Sequence, residues 1–391
     1  MGDLDLAFLH EGIPQRELVA EWRTPARSEM PMPGVGDWNQ ELLNLLSSIH
    51  LRSREDVIRR YDHLVQGGTV VAPLVGLHHQ GPGDAAVIVP QDTWKPGSSP
   101  IRGVALGVGI NPRYGLADPY AMAWAAVDEA IRNVVAVGAD PEQVSILDNF
   151  CWGSSVLKDR LGDLVRCARG CHDAALAFGA PFISGKDSLN NEYTEQNGQR
   201  HVIPGTLLIS SLAIVPDVSF TCTMDFKASG NVIYLIGNTD EEVGGSVWSH
   251  LRGWDGGSVP GPRPDSPVLF MALHRVIRSG IIRSCHDLSE GGLLVALAEM
   301  CLAGEVGATI DMEPLLNRGL SPQAVLVGES NGRFLVEISP EDEAKFLMGM
   351  GGHPHMKLGY TTSTGELRAQ GPDISVVLGI RSLDEAFRGH I

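Results

Sequence analysis

The stretch "ADPYAMAWAAVDEAIRNVVAVGADPEQVSILDNF", Ala117–Phe150, decides the fold. Asp118 can cap a helix with its carboxylate, and Pro119 takes the first helical position, where an N–H would find no partner anyway. Trp124, Val127, Ile131, Val134 and Val135 recur at helical spacing, a stripe that belongs to a core rather than to a cofactor box. Gly138 ends the helix, with Pro141 just beyond it. "VSILDNF", short and apolar, then reads as a strand. A second helical pattern, "DRLGDLVRCARGCHDAALAFGA", follows. Helix and strand alternate, so the fold is mixed α/β.

The alternation extends outward. "GGTVVAPLVG", "AAVIVP" and "IRGVALGVGI" upstream, and "PFISG" and "TLLISSLAIV" downstream, read as strands. Pro216-Asp217 is the best domain boundary. Beyond it "NVIYLIGNT", "GATIDM" and "RFLVEIS" are strands, while "SPVLFMALHRVIRSGII" and "SEGGLLVALAEMCLAGE" are helices. The polar segment "SHLRGWDGGSVPGPRPDSP" reads as a long mobile loop. The expected organisation is a lead-in over 1–60, a first α/β domain over 61–216 and a second over 217–391. The lead-in is proline-rich and polar, with short helices in "NQELLNLLSSIHL" and "SREDVIRRYDHLV", the latter with Ser53 as N-cap.

Thirty basic residues against 47 acidic give a net charge of −17. That opposes nonspecific nucleic-acid binding, which needs basic surface. It permits a nucleotide, because Mg²⁺ and a few local cations offset phosphate charge. No apolar run approaches the ~20 residues that span a bilayer. "MGDLDLAFLHEG" lacks a signal peptide's layout, so a cytoplasmic protein without a membrane partner is expected. The six cysteines show no disulfide framework; Cys167 and Cys171 read as small buried thiols. His78, His79, His353 and His355 read as surface loops.

Three segments carry the candidate chemistry. In "PFISGKDSLNNEY", Pro181–Tyr193, an apolar run ends after Ile183 in a bend crowded with hydrogen-bonding groups. Lys186 is a compact cation for phosphate, Gly185 lets backbone come close, and Ser188 offers a hydroxyl. Asp148 ends the neighbouring strand and could share the same sheet edge, where α/β folds place ligands. In "HDLSEGGLLVALAE", Ser289 precedes a helix whose first turn holds Gly291 and Gly292, an arrangement suited to an anion; Asp287, beside His286, could hold a metal or a ribose hydroxyl. In "GVGINPRYGLADPY", Asn111 and Arg113 crowd a capped helix start, and Arg113 suits bidentate phosphate contact. Each also reads as an ordinary turn or cap. No nucleophile stands beside a base by any local sign.

Together "YDHLVQGGTVVAPLVG", "GPGDAAVIVP", "GINPRYGLADPYAMAWAAVDEAIRNVVAVGADPE", "LDNFCWG", "PFISGKDSLNNE", "SCHDLSEGGLLVALAE" and "GESNGRFLVEI" resemble, in order, the C-terminal half of the phosphoribosylformylglycinamidine synthases. The resemblance covers nearly the whole chain. It implies an aminoimidazole ribonucleotide synthetase-like A domain, whose sheet pairs into a barrel flanked by helices, followed by an α/β B domain. It implies an ATP- and Mg²⁺-dependent ligase of purine biosynthesis that converts formylglycinamide ribonucleotide to the amidine with glutamine-derived ammonia. The partners it implies are an N-terminal half and a glutaminase subunit or domain, with a homodimer forming in isolation. By its motifs Asp148, Gly185 and Lys186 contact ATP and Ser188 contacts substrate, while Asn111, Arg113, His286, Asp287, Gly291 and Gly292 belong to an auxiliary phosphate or nucleotide site. Many members have asparagine at Lys186, where it helps hold Mg²⁺; an ammonium has no lone pair, so phosphate contact is expected and no residue is assigned to metal. The family histidine falls in the other half, with His63 only a pseudo-equivalent. A noncatalytic nucleotide-binding scaffold and a self-dimerising synthetase relative are the competing readings.

Overall fold

The computed structural model describes residues 3–12, 16–64, 66–95 and 97–389. Two open sheets dominate. The first comprises β1 (Thr69–Val71), β2 (Ala86–Ile88), β3 (Gly103–Ile110), β4 (Val144–Cys151), β5 (Phe182–Ser188) and β6 (Thr206–Val215), in the order β1-β2-β3-β6-β4-β5. All neighbours are antiparallel except the parallel pair β4 and β5. The second comprises β7 (Val232–Ile236), β8 (Ile282–Asp287), β9 (Gly307–Asp311), β10 (Phe334–Ile338), β11 (His355–Thr362), β12 (Glu366–Gly371) and β13 (Ile374–Gly379), in the order β8-β10-β7-β11-β9-β12-β13. Neither closes into a barrel by itself, and within one chain the outer face of the first sheet meets no second sheet.

The deciding helix is α1 (Pro119–Ala136), capped by the Asp118 carboxylate, which accepts from Tyr120 N–H. Every residue of it except Tyr120 is buried. One side packs on β3, the other reaches β8 of the second sheet. β3 makes room with Gly103, Ala105, Gly107 and Gly109 on its inner face. A Cβ on Gly109 would collide with Ala126 O, and one on Gly107 would lie 3.0 Å from Ala130 O. The larger residues of β3 point the other way: Leu106 and Val108 are 45% and 51% exposed. Ile88 of β2 and Leu212 of β6 flank them, also exposed. This outer face is apolar and uncovered.

Helix α2 (Lys158–Phe178) packs beside α1 and buries Cys167 and Cys171, as expected. In the second domain α3 (Ser266–Arg278) and α4 (Gly292–Gly304) flank the sheet. No helix of the described residues is long and apolar enough to cross a membrane.

Four expectations change. β5 runs on to Ser188, so the bend expected after Ile183 is an edge strand. Pairing with β4 carries it through the glycine, in register Asp148 opposite Gly185. Gly291 is the N-cap of α4 and not part of its first turn, because the backbone turns left-handed at Gly291 and Gly292 (φ +82 and +66). Around Ser53 the helix is reduced to Glu55–Ile58 with Arg54 as N-cap; the Ser53 hydroxyl accepts from Glu55 N–H. The loop after Ser249 is anchored: Trp254 is buried and its indole N–H donates to Met30 O at 3.1 Å.

That bond belongs to a strap formed by the lead-in. Glu21 N–H donates to Lys158 O at 2.9 Å, and a Cβ on Gly162 would strike Glu21 O. The Arg166 guanidinium lies 3.8 Å from the Trp22 ring centre. Further on, Arg27 donates to Asp255 O and Gly256 O, Gln323 donates to Pro33 O, and Val377 N–H donates to Asn39 Oδ1. The lead-in therefore grips both domains.

Replacing Gly109 by alanine puts a methyl group into the backbone of α1. Urea denaturation of this variant should show a loss of about 1–3 kcal/mol, whereas Gly179→Ala, at an open left-handed helix end, should lose only about 1 kcal/mol.

Candidate functional site

Burying α1 on both sides leaves its charged residues nowhere to go but the seam between the sheets. Asp128, Glu129, Arg132 and Asn133 are all buried there. Such groups persist inside only when paired. The Arg132 guanidinium bonds to Asp128 on its own helix and donates from Nε to Asp287 at 3.1 Å. Asp128 also accepts from Gly332 N–H at 3.0 Å. Glu129 accepts from Ile110 N–H at 3.0 Å and from Asn111 Nδ2 at 2.7 Å.

Next to this pair stands a second cluster. Asp84, in the turn before β2, has its carboxylate 2.7 Å from His286 Nδ1 and accepts from Asp287 N–H at 3.0 Å. His286 Nε2 faces Glu299 of α4 at 3.2 Å. Burial opposes a charge on His286, but the carboxylates of Asp84 and Glu299 outweigh it and hold its pKa well above the ordinary histidine value. Asp84 Oδ2 is buried and, among the described residues, has no hydrogen-bond partner. Ligand atoms of Asp84, His286 and Asp287 lie within 4.8 Å of one another, a set able to hold a metal ion. Two carboxylates with a spare buried oxygen fit a hard divalent cation such as Mg²⁺.

Asp84 and Glu299 also line a cleft of about 500 Å³. Its walls include His50, Arg52 and Arg54 of the lead-in and Ser210 and Ser211 of β6, and it reaches the exposed face at Leu106 and Val108. Acid at the floor and cations on the wall make it a place for a metal-bound anion.

The remaining acids crowd nearby. Burial, with Glu329 adding, pushes the Glu290 carboxyl up to about 7, and burial pushes Asp287 up to about 6 against the pull of Arg132. Glu329 accepts from Tyr114 OH at 2.6 Å and from Val247 and Gly291 N–H groups, each at 2.8 Å. The amide that made the Gly291-Gly292 turn look like an anion cradle is thus committed to the protein's own carboxylate. A Cβ on Gly292 would lie 2.6 Å from Gly328 O, so glycine there serves close packing.

The structure brings His286 and Asp287 together with Asp84, keeps Asn111 bonded to Glu129, and turns Arg113 away toward the strap. Arg113 Nη2 is 3.8 Å from Glu290 and its Nε donates to Gly245 O at 3.2 Å. Asp148, Gly185, Lys186 and Ser188 gather elsewhere, on the β4–β5 edge across β6. There the Asp148 carboxylate lies against Gly185, and Lys186 Nζ touches the Ser188 hydroxyl. Burial raises the Asp148 pKa. His63 sits in a turn with Nδ1 3.4 Å from Tyr61 O, bonded to none of these groups.

Sequence reasoning missed Asp84, Glu299, Glu129 and Arg132. One signal was available: two acids, an arginine and an asparagine at 128, 129, 132 and 133 sit inside a helix whose remaining residues are nearly all apolar.

Two family models match, described as AIR synthase related protein, N-terminal domain, over residues 82–206 and C-terminal domain over 228–371. The chain belongs to the AIR synthase related family. Its resemblance to phosphoribosylformylglycinamidine synthase holds among curated relatives. Subunit PurL of Rhodopseudomonas palustris (strain BisB18) is 38% identical over 320 residues, covering 81% of this chain and 40% of the relative. The chain thus spans less than half the length of that relative. Thermotoga maritima PurL complexed with FGAR superimposes with a TM-score of 0.67 at 19% identity, covering 88% of this chain and 53% of that one. The same protein complexed with ATP gives 0.64 at 18%, covering 88% and 51%. At such identities the structures establish the shared AIR-synthase-like fold.

In this family member Arg132 is the cation that makes the seam tolerable. Arg132→Leu should cost about 3–5 kcal/mol, because Asp128 and Asp287 stay buried without it. A second outcome concerns pH. The folded pKa of Asp287, about 6, exceeds its ordinary 3.8, so the fold favours the protonated carboxyl and ionisation works against it. Stability should fall as pH rises from about 4 through 6. Asp287→Asn should flatten that fall in denaturation curves taken across the interval.

Proposed function

We propose that this chain is the C-terminal half of an ATP-dependent formylglycinamide ribonucleotide amidotransferase, inactive until an N-terminal half docks on the first sheet. The observation that carries this reading is the inverted strand β3, with glycine and alanine inside and Leu106 and Val108 outside, opening onto the cleft that holds Asp84. A face of that kind fits a second sheet and not water. The short span of this chain against its relatives supplies the missing half. In isolation a second copy covers the same face, giving a homodimer.

The reaction transfers the γ-phosphoryl group of ATP to the amide oxygen of the substrate. Ammonia from a glutaminase partner then displaces phosphate, leaving the amidine, ADP and phosphate. Phosphate leaves readily where an amide oxygen does not, and the protein's task is positioning and charge stabilisation. Asp148, Gly185 and Lys186 take ATP and Ser188 takes substrate at the β4–β5 edge. The Asp84 cleft, with His286 and Asp287, takes the auxiliary nucleotide. Asp84 and Asp287 would hold its Mg²⁺, which offsets phosphate charge when bound. A cytoplasmic location suits this chemistry.

The test is complementation. The chain alone, given substrate, ATP and ammonia, should release no phosphate; adding an N-terminal half from a relative such as the Rhodopseudomonas protein should restore release. Turnover by the chain alone, or none after a complex has formed, would overturn the proposal. Separately, millimolar MgATP should raise the melting temperature of the wild type by more than that of Asp84→Asn, which keeps only the β4–β5 edge for nucleotide. Light scattering at micromolar concentration should give the mass of a dimer, and Leu106→Glu should give a monomer.

A further inference from the structure

The strap roofs a second cavity on the other side of Arg113. It encloses about 230 Å³ and is lined by, among others, Pro25, Arg27, Arg113, Leu116, His250 and Trp254. Nucleotide- and drug-sized sites run to about 300–1,000 Å³, so its occupant is smaller.

Charge is inverted here. In a chain of net charge −17, Arg27, Arg113 and His250 converge on one small space. The His50 ring meets His250 edge-on, centroids 5.0 Å apart. Burial first, then Arg113, His250 and Arg54, pull the His50 pKa down, the response of a base in a positive field. The acid at the rim, Asp255, offers Arg27 its backbone carbonyl, at 2.9 Å from Nε. Its carboxylate makes no ion pair among the described residues.

Arg113 is only loosely paired. Its side chain is only 17% exposed, and Nε is held by Gly245 O at 3.2 Å. At 3.8 Å, Glu290 is beyond hydrogen-bonding reach of Nη2. Among the described residues neither terminal nitrogen of Arg113 donates a hydrogen bond. A guanidinium held by one hydrogen bond and one long ion pair still has terminal N–H groups to offer, and its planar fork matches a two-oxygen anion. Opposite lie the buried Trp254 indole and, exposed at the mouth, Leu116 and Pro25, which offer an apolar surface to whatever carries the charge.

We propose that this pocket binds a small organic anion, its phosphoryl or carboxylate head on Arg113 in the field of Arg27 and His250, its flat or aliphatic body against Trp254 and Leu116. The site is distinct from the Asp84 cleft and does not depend on the amidotransferase reading. Because the strap and both domains contribute walls, an occupant would tie the three together.

The test titrates the full chain with phenyl phosphate and with benzoate, by calorimetry and by the change in tryptophan fluorescence. One probe at least should bind one-to-one, and which one identifies the head group. Arg113→Met should weaken it by about tenfold or more, the worth of one charge-assisted bond. Arg113→Lys should recover part of that, since charge returns without the fork. Leu116→Trp, which fills the apolar end and leaves every charge in place, should weaken it as much. Saturating MgATP should leave the probe's affinity unchanged. The proposal falls if both probes bind with Kd above about 1 mM, or if Leu116→Trp, folded by circular dichroism, binds as the wild type does.

Discussion

The approach of α1 to β3 is the constraint from which the molecule follows. Backbone meets backbone at Ala126 and Gly109, with no side chain between. A helix held that close to one sheet, and covered by a second, has no solvent face. Its four polar residues at 128, 129, 132 and 133 are then forced into the seam, where each must find a partner. Those partners, Asp287, Asn111, Gly332 N–H and Val108 O, come from both domains. Tight packing and the charged chamber are one event. The same geometry turns the bulky residues of β3 outward and leaves an apolar face.

Satisfied and unsatisfied groups separate structure from function inside this chamber. Glu337 is fully buried and accepts from Lys227 N–H, Ala228 N–H, Asn231 and Ser284; Arg333 is equally buried and donates to Ser330 O, Thr239 and Gly328 O. Each nitrogen of Arg333 and each carboxylate oxygen of Glu337 has a partner, and they hold loops in place. Asp84 keeps a buried oxygen with no partner among the described residues, and Arg113, at the wall of the second cavity, uses only Nε in a hydrogen bond. Buried polar atoms are nearly always satisfied, and the spare oxygen of Asp84 stands in the one group able to hold a metal ion among the described residues.

Much of this was legible in the residues themselves. The Asp118 cap, the core stripe from Trp124 to Val135 and the short strands either side emerged from local patterns, because caps and periodicity are local physics. What escaped was nonlocal. His286 meets Asp84 across 202 positions, and no spacing rule pairs them. Ser184 to Ser188 looks like a turn by composition, yet hydrogen bonding to β4 holds it extended as an edge strand, where polar side chains find water on both faces. Gly291 and Gly292 read as a first helical turn, but the left-handed backbone makes Gly291 the cap and starts the helix at Gly292. The lead-in, short of periodicity, gave no hint that Trp22, Arg27 and Met30 would find fixed seats.

The path of the backbone has one more implication. The chain passes from the first sheet to the second once, between Val215 and Val232, while residues 21–39 hold α2, the Trp254 loop and β13 together from outside. Covalent continuity at that crossing is therefore redundant with a noncovalent clasp. A cut placed there would yield two polypeptides that stay assembled, and the clasp, more than the crossing, keeps the two domains from swinging apart like a hinge.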